Sequence, residues 1–176
     1  MIQQVEITLT PKSRGFHLVT SEILRQLPKL PKTGIINIFC KHTSCGLSIN
    51  ENADPDVRVD METIFNRLVP ENRPEYEHTL EGADDMPAHA KSTLSGVSLT
   101  IPITNGHLNL GTWQGIYFCE YRNYGGAREL VITGPTDFVR GKGQCETIQR
   151  PSCCDKRRKV YPSRLSCLNG SISSWS

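Results

Sequence analysis

The sequence predicts an α+β fold: a single compact domain of mostly antiparallel sheet with about three helices. Short apolar runs that end in turn residues indicate strands joined as hairpins, most clearly around Asn105-Gly106. Three segments with apolar residues at helical spacing lie among these strands. The periodicity stops after Gly134-Pro135. We therefore expect the fold to end near this point and a tail to follow.

The N-terminal part of the chain predicts one strand, one loop and one short helix. Apolar residues alternate over 5–9, which indicates a half-buried strand, and the polar segment 11–15 indicates a loop. Thr20 or Ser21 can cap a short helix that ends near Pro28.

Two strands and the clearest helix follow. The apolar run 35–39 predicts a buried strand, and 46–49 predicts the next strand or its continuation. Asp54 is a good N-cap, and Pro55 suits the first helical position. Apolar residues at helical spacing over 57–68 then predict a helix with one apolar face.

The rest of the domain is predicted as a third helix followed by strands. Asp85 can cap a helix that continues to about residue 94, with a proline tolerated in its first turn. Alternating or apolar runs then predict strands at 97–101, 108–110, 116–121 and 130–133.

The chain is predicted to divide into a domain at residues 1–138 and a basic, cysteine-containing tail at 139–176. Residues 137–176 contain eight Lys or Arg against three Asp or Glu, whereas 1–136 carry a balance of −3. The tail has no periodic apolar pattern and ends in a serine-rich stretch, so we predict that it is disordered. Its cysteines lack the paired CxxC spacing of a good zinc site.

The composition favours a cytoplasmic protein outside the membrane. No run approaches the roughly 18 apolar residues of a membrane helix, and the first residues lack the pattern of a secretory signal. The mildly acidic domain argues against a nucleic-acid interface on it. Seven cysteines, an odd number, argue against a disulfide scaffold. Cys40 and Cys119 lie in apolar runs and are predicted to be buried.

Three histidines, His42, His78 and His89, are candidates for a divalent-metal site, because neutral imidazole is the commonest nitrogen ligand of zinc-like ions. Their spacing matches no fixed metal motif. Asp85 and His89 are four residues apart and would share one face of the third helix, where the carboxylate can orient the ring. In the alternative, Asp85 only caps the helix and His89 is a surface residue. Spacing alone favours that alternative.

Other polar and aromatic residues suit a phosphorylated substrate. Arg14, Lys91 and Arg128 can bind phosphate oxygens, although an exposed, solvated cation is the more common role. Glu120 can serve in acid–base chemistry or bind Mg²⁺. Trp113 can stack on a heteroaromatic ring, although packing in the core is the more common use of an aromatic. The common nucleotide, zinc-protease and hydrolase motifs are absent from the sequence.

Five motifs in order resemble the YjbQ family, which is named for a secondary thiamine-phosphate synthase activity. The motifs are Lys12-Ser13-Arg14-Gly15-Phe16-His17, His42-Thr43-Ser44, Glu51-Asn52-Ala53-Asp54-Pro55, Glu81-Gly82-Ala83-Asp84-Asp85-Met86-Pro87-Ala88-His89 and Gly111-Thr112-Trp113-Gln114-Gly115. The resemblance runs from about Val5 to Thr133. It implies a small α+β protein that forms a homotrimer, with the tail as a departure from the family.

The resemblance also implies a reaction and a set of site residues. The reaction joins a hydroxymethylpyrimidine pyrophosphate to a thiazole phosphate and releases pyrophosphate. A divalent metal is expected, either Mg²⁺ for the pyrophosphate or a zinc-like ion at the histidines. The expected residues are Asp60, Asp85 and Glu120 in catalysis; Arg14, Ser44, Asn52, Lys91, Thr112, Trp113, Gln114 and Arg128 in substrate binding; and His42, His78 and His89 at the metal.

Two other functions stay open for the same pocket. One is metal-dependent hydrolysis of a small phosphorylated metabolite. The other is a non-catalytic role, in which a trimeric module binds a metabolite or a metal. Turnover distinguishes the enzymes from the binding module, because a pure binder shows ligand-dependent stabilisation without product.

Overall fold

The computed structural model describes residues 2–135 of the 176-residue chain. The proposed tail at 139–176 and the domain boundary at 138 therefore lie outside the described residues. The elements in chain order are β1 (Ile2–Leu9), β2 (Gly15–Leu18), α1 (Thr20–Gln26), β3 (Thr33–Cys40), β4 (Cys45–Glu51), α2 (Asp56–Leu68), α3 (Asp85–Ser95), β5 (Ser98–Thr104), β6 (His107–Leu108), β7 (Gln114–Glu120) and β8 (Arg128–Pro135).

The strands form two antiparallel sheets, which confirms the predicted α+β class. The larger sheet has the order β1-β8-β3-β5-β6, and the smaller one has the order β2-β7-β4. Side chains from both sheets meet in one apolar core, represented by Ile36, Ile38 and Leu130 of the larger sheet and Leu47 and Phe118 of the smaller. All five are fully buried. Burial of such side chains stabilises the fold by about 1.5–3 kcal/mol each.

The register of the smaller sheet brings together residues from three distant parts of the sequence. Gly15 and Cys45 both pair with Glu120, which ends β7. At the opposite end of the sheet, Glu51 pairs with Gln114. A seven-residue strand is roughly 20 Å long, so these two ends are separated by about that distance.

The second predicted helix is confirmed, with a start at Asp56 instead of Pro55. Oδ1 of Asp54 accepts the N–H of Asp56 at 2.9 Å, so this carboxylate satisfies a free donor at the helix start as predicted. The apolar face is less buried than its spacing suggests, because Ile64 and Leu68 are 54% and 63% exposed. Helix α2 contributes no fully buried residue to the core.

Two local predictions are wrong. Asp85 begins α3, but its side chain makes no capping bond, because it is turned towards two histidines and an arginine. Thr20 does not cap α1 either. Its hydroxyl accepts the N–H of Ile116 on β7 at 2.8 Å, so it fastens the helix to the smaller sheet.

Strand β2 was not predicted. The segment 11–15 was expected to be a loop, but its last residue, Gly15, begins this strand. The strand has only four residues, and Gly15 begins it with a φ of 134°, a backbone conformation that favours glycine. Its existence depends on pairing with β7, which no local pattern reports. Over residues 2–135, no helix has the length and apolar character needed to cross a membrane.

Candidate metal centre and polar site

Two histidines and one aspartate converge at the start of α3. Asp85 is 1% exposed. Its Oδ2 accepts a hydrogen bond from Nε2 of His78 at 2.6 Å and lies 3.3 Å from Nε2 of His89. His89 is one helical turn after Asp85, so the predicted shared face is confirmed, and the 69–84 segment brings in His78. We call these three residues the histidine–aspartate cluster.

A backbone contact fixes the orientation of one ring. Nδ1 of His89 lies 3.0 Å from the carbonyl oxygen of Thr43, and a carbonyl can only accept, so this nitrogen carries the proton. In the neutral ring, Nε2 then presents a lone pair to the carboxylate oxygen of Asp85. Two lone pairs at 3.3 Å repel each other. A metal ion between the two groups would remove this repulsion.

The cluster fits a divalent ion of the zinc type. Its three donor atoms lie within 4.8 Å of one another. Imidazole nitrogens with one carboxylate suit zinc and its neighbours, whereas Mg²⁺ prefers oxygen ligands. The Thr43 carbonyl supplies the kind of outer contact that orients metal-binding histidines. Among the described residues, these three are the His, Cys, Asp or Glu side chains whose donor atoms lie close enough together to hold one metal ion.

Arg122 balances the negative charge of two neighbouring aspartates. It forms an ion pair with Oδ1 of Asp85, and its Nε donates to Oδ2 of Asp84 at 3.1 Å. The N–H of Asn123 donates to the same oxygen of Asp84 at 2.8 Å. Burial raises the pKa of Asp84, but Asn123 and Arg122 outweigh it, and the net pKa is lowered. Sequence reasoning missed Arg122, whose one signal was its place just after a strand that ends in Glu120.

A second polar group lies at the end of β7, two residues before Arg122. Arg128 binds Glu120 with two bonds of 2.8 Å, from Nε and from NH2. Glu120 is fully buried, and Arg128 is 7% exposed. The NH2 group also lies 3.3 Å from the hydroxyl of Ser44. Bidentate pairing of this kind is strong and directional, and here it links β7 of the smaller sheet to β8 of the larger sheet.

His42 belongs to this second group and lies outside the histidine–aspartate cluster. Its Nε2 accepts the N–H of Glu129 at 2.9 Å, and its Nδ1 lies 3.5 Å from NH1 of Arg128. Burial, followed by the positive charge of Arg128, lowers the pKa of His42. A ring with one nitrogen occupied and the other facing a guanidinium is a poor metal ligand. Within one chain, the structure thus brings together two of the three predicted metal histidines.

A third group contains two predicted substrate-binding cations. Oδ1 of Asn66 accepts from NH2 of Arg14 at 2.6 Å and from Nζ of Lys91 at 2.7 Å, so the two cations flank one amide oxygen. Burial, and then the nearby Arg14, lowers the pKa of Lys91 to about 8. Arg14 also forms an ion pair with Glu71.

Two cavities adjoin these groups. One of about 510 Å³ is lined by Arg14, Glu62, Asn66, Pro70, Glu71 and Asn123. The other, of about 590 Å³, has Phe39, Cys40, His42, Thr43 and Val97 in its wall. Thr43 is the residue that orients His89, so the second cavity shares this residue with the surroundings of the histidine–aspartate cluster.

The remaining predicted site residues lie elsewhere in the chain. Nδ2 of Asn52 donates to the carbonyl of Gln114 at 3.0 Å, and Trp113 is 64% exposed. Together with Thr112 they occupy the end of the smaller sheet opposite Glu120, roughly 20 Å away. Asp60 is exposed on α2 and makes no side-chain hydrogen bond to the described residues.

The fold and the site define a class: a small α+β protein of two antiparallel sheets, with a histidine–carboxylate cluster at one end of the smaller sheet. The model of the UPF0047 protein YjbQ-like family matches residues 5–135. The chain therefore belongs to the YjbQ family, which confirms the resemblance. The UPF0047 protein YjbQ of Escherichia coli O157:H7 is 51% identical over 135 residues, covering 76% of this chain and 97% of that protein.

Solved structures agree with the fold. A conserved hypothetical protein from Thermus thermophilus matches with a TM-score of 0.65 and 34% identity, covering 73% of this chain and 97% of that one. An uncharacterized YjbQ/UPF0047 protein from Clostridium acetobutylicum matches with a TM-score of 0.61 and 35% identity, with the same coverage. A further relative by sequence is the UPF0047 protein YugU of Bacillus subtilis, which is 47% identical over 96 residues, covering 52% of this chain and 70% of that protein.

Proposed function

We propose that this chain is an enzyme that acts on a phosphorylated small molecule at a divalent-metal centre formed by His78, Asp85 and His89. The observation that carries the proposal is the orientation of His89. Its Nδ1–H donates to the Thr43 carbonyl, and the lone pair of its Nε2 faces the Asp85 carboxylate at 3.3 Å. A cation bound between them would be attracted to both groups. A divalent ion bound there would act as a Lewis acid on a phosphoryl oxygen.

The residues around the cluster would set its geometry and charge. Arg122 holds the second carboxylate oxygen of Asp85, which leaves Oδ2 as the oxygen that faces the two rings. The donor set supports a zinc-like ion at this position. Mg²⁺ would accompany a pyrophosphate-bearing substrate instead of binding the histidines, because it retains oxygen ligands.

Arg14 and Lys91 are proposed to attract the phosphate group. They flank the Asn66 oxygen, with Arg14 in the lining of the cavity of about 510 Å³ and Lys91 buried, and their like charges oppose each other. In the structure, Glu71 forms an ion pair with Arg14 and so balances its charge. A phosphate entering the cavity would replace this carboxylate and form charge-assisted bonds with the guanidinium.

Thiamine-phosphate synthase-like transfer is the specific reaction that family membership suggests. It requires a flat surface for the pyrimidine and a water-poor site for the electron-poor carbon. Phe39, in the wall of the cavity of about 590 Å³, offers such a surface on the same chain as the histidines. Trp113 could do so only from another copy, since it lies at the far end of the smaller sheet.

Metal-dependent hydrolysis of a phosphorylated metabolite is the second candidate. The observation that favours it is the small number of protein ligands. Two imidazoles and one carboxylate leave coordination positions open, as in catalytic sites of this type. A binding module without catalysis has the same ligand set and differs only in lacking turnover.

One experiment separates these functions. Purified protein is incubated with the two thiamine precursors, or with a panel of phosphate esters, in the presence of Mg²⁺ and Zn²⁺. Thiamine phosphate and inorganic phosphate are measured in parallel for wild type, His89→Ala and the control His107→Ala, which alters an exposed histidine at the start of β6. We expect product with wild type and the control, and loss of product with His89→Ala. An equal rate in His89→Ala would overturn the catalytic proposal.

We also propose that the protein is a cytoplasmic homotrimer that does not bind nucleic acid through its domain. Support comes from apolar side chains that this chain leaves exposed, notably Val59, Ile64 and Leu68 on α2 and Trp113. Exposed apolar side chains on one helix are the kind of surface that a contact with another copy would cover. Light scattering is expected to give about three times the 19.7 kDa mass of one chain, and a monomer would contradict the assembly.

A further inference from the structure

Two cysteines form a buried contact beside the site. Cys40 ends β3, Cys45 begins β4, and their sulfur atoms lie 3.3 Å apart. Both side chains are 1% exposed or less. The four-residue segment 41–44 connects them. The third cysteine of the described domain, Cys119, is free and fully buried, and its strand position pairs with Gly46.

The two thiols of the pair differ in acidity. A hydrogen bond from Cys45 lowers the pKa of the Cys40 thiol, and a backbone bond at His42 and the charge of Arg128 act in the same direction. The same hydrogen bond, together with burial, raises the pKa of Cys45. Burial raises the pKa of Cys119 to about 12. Cys40 is therefore the one of the three cysteines of the described domain whose pKa is lowered, although burial opposes the effect, and the thiolate is the nucleophilic form.

Cys40 is one of the residues around the cavity of about 590 Å³, together with Phe39, His42 and Thr43. Its side chain packs in the apolar core against Cys45. This combination of a more acidic thiol beside a cavity and a second thiol in contact behind it is the arrangement of an oxidisable pair with a resolving cysteine.

We propose that Cys40 and Cys45 form a peroxide-reactive dithiol that closes a disulfide across the 41–44 segment. The Cys40 thiolate attacks one oxygen of hydrogen peroxide, the O–O bond breaks, and the departing hydroxide takes the thiol proton to form water. Cys45 sulfur then attacks the resulting sulfenic sulfur, and the hydroxide released there takes the Cys45 proton. One peroxide is reduced to two waters, and two thiols are oxidised to one disulfide.

The disulfide would act on the site through the segment that it closes. Forming the bond brings the sulfurs closer than their 3.3 Å contact and pulls on residues 41–44. This segment carries the Thr43 carbonyl that orients His89 and the Ser44 hydroxyl near Arg128. We expect oxidation to weaken Zn²⁺ binding at the histidine–aspartate cluster by about 10-fold, the size of effect that outer contacts have on metal sites. This consequence rests on the proposed function, whereas formation of the disulfide does not.

Peptide mapping of the full chain tests the bond directly. The folded protein is treated with hydrogen peroxide, free thiols are alkylated, and the chain is digested with trypsin. Cleavage after Lys32, Lys41 and Arg58 places Cys40 in peptide 33–41 and Cys45 in peptide 42–58. We expect the two peptides to be joined in a reductant-sensitive species, with Cys119 alkylated. Recovery of both peptides in alkylated form, or oxidation of Cys119 ahead of them, would overturn the proposal.

Two further measurements test whether the fold creates the pair and which thiol attacks. The same treatment of urea-unfolded protein should give mixed pairings that include Cys119, and equal selectivity there would show that the fold does not create the pair. In Cys45→Ser, which removes the resolving thiol, a dimedone adduct should accumulate on Cys40 and not on Cys119. Absence of the adduct would contradict the assignment of Cys40 as the attacking thiol. Zn²⁺ titration of oxidised and reduced wild type measures the consequence for the cluster separately.

Discussion

The ring of His89 is oriented by the backbone of Thr43, a residue 46 positions earlier in the chain, through a 3.0 Å bond between Nδ1 and the carbonyl oxygen. This contact joins α3 to the segment between β3 and β4. It also decides which nitrogen of His89 is available, because the proton on Nδ1 leaves Nε2 free towards Asp85. The histidine–aspartate cluster is therefore arranged by tertiary structure and not by a local sequence motif.

Asp85→Asn is expected to destabilise the metal-free protein and to reduce metal binding. The substitution removes the ion pair between Arg122 and a carboxylate that is 1% exposed, and leaves Arg122 with Asp84 as its remaining partner. Because this second partner stays, the free energy of unfolding should fall by less than the roughly 3 kcal/mol that follows the loss of the sole partner in a buried pair. Urea denaturation in the presence of a chelator measures this effect. Asp56→Asn, on exposed α2, is the control and should change stability by less than about 0.5 kcal/mol.

Glu71→Gln is expected to tighten the binding of inorganic phosphate by about 3- to 10-fold, because it removes the carboxylate that competes for Arg14. Arg14→Met should weaken binding by a similar factor. Isothermal titration with phosphate measures both. The matched controls are Glu75→Gln and Arg73→Met, since these residues form an exposed ion pair away from the cavity lining. Weaker binding in Glu71→Gln would contradict the proposed role of this carboxylate as a displaceable partner.

Glu120→Gln is expected to lower the free energy of unfolding by about 3–5 kcal/mol, because it leaves the buried guanidinium of Arg128 without a counter-ion. Chemical denaturation of the variant measures the change. The comparison is Lys41→Met, which breaks exposed pairs with Glu6 and Glu129 and should cost less than about 1 kcal/mol. Equal effects for the two variants would show that burial of the Glu120–Arg128 pair has no special importance.

The stability of the protein is expected to fall as the pH drops below 6.5, in part because of His42. Burial, and then Arg128, lowers the pKa of His42 below its ordinary value of 6.5, so the unfolded chain binds this proton first. The stabilisation from the neutral ring is present above pH 6.5 and is lost as the pH falls through the lowered pKa. In His42→Gln, the unfolding free energy should decline less over this range. An unchanged slope, compared with wild type and with the control His107→Gln, would contradict the assignment.

The sequence predicted the class of fold and most of its elements because these depend on local patterns. The clearest case is α2, where Asp54, Pro55 and the apolar spacing all act within a few residues. Strand β2 was missed because its four residues are held only by β7. Arg122 was missed for a similar reason, since its two aspartate partners lie almost forty positions away.

The candidate site was predicted in its residue types but not in its arrangement. The expected metal histidines were His42, His78 and His89, but His42 lies beside Arg128 and Glu129. The structure instead brings Asp85, which was expected in catalysis, together with His78 and His89. The length of β7 explains why Trp113 lies far from Glu120. Trp113 and Glu120 are only seven residues apart in the sequence, but an extended strand places them at opposite ends of a sheet. Only a second copy of the chain could place Trp113 near Glu120. Local sequence patterns do not report how copies of the chain assemble.

Zn²⁺ binding to four purified proteins shows whether His78, Asp85 and His89 form a metal centre: wild type, His78→Ala, His89→Ala and His42→Ala. Equilibrium dialysis followed by elemental analysis gives the number of ions per chain, and circular dichroism confirms that each variant is folded. We expect one ion per chain in wild type and His42→Ala, and binding weakened by at least about 10-fold in His78→Ala and His89→Ala. No bound ion in wild type, or full binding in His89→Ala, would contradict a metal centre at His78, Asp85 and His89.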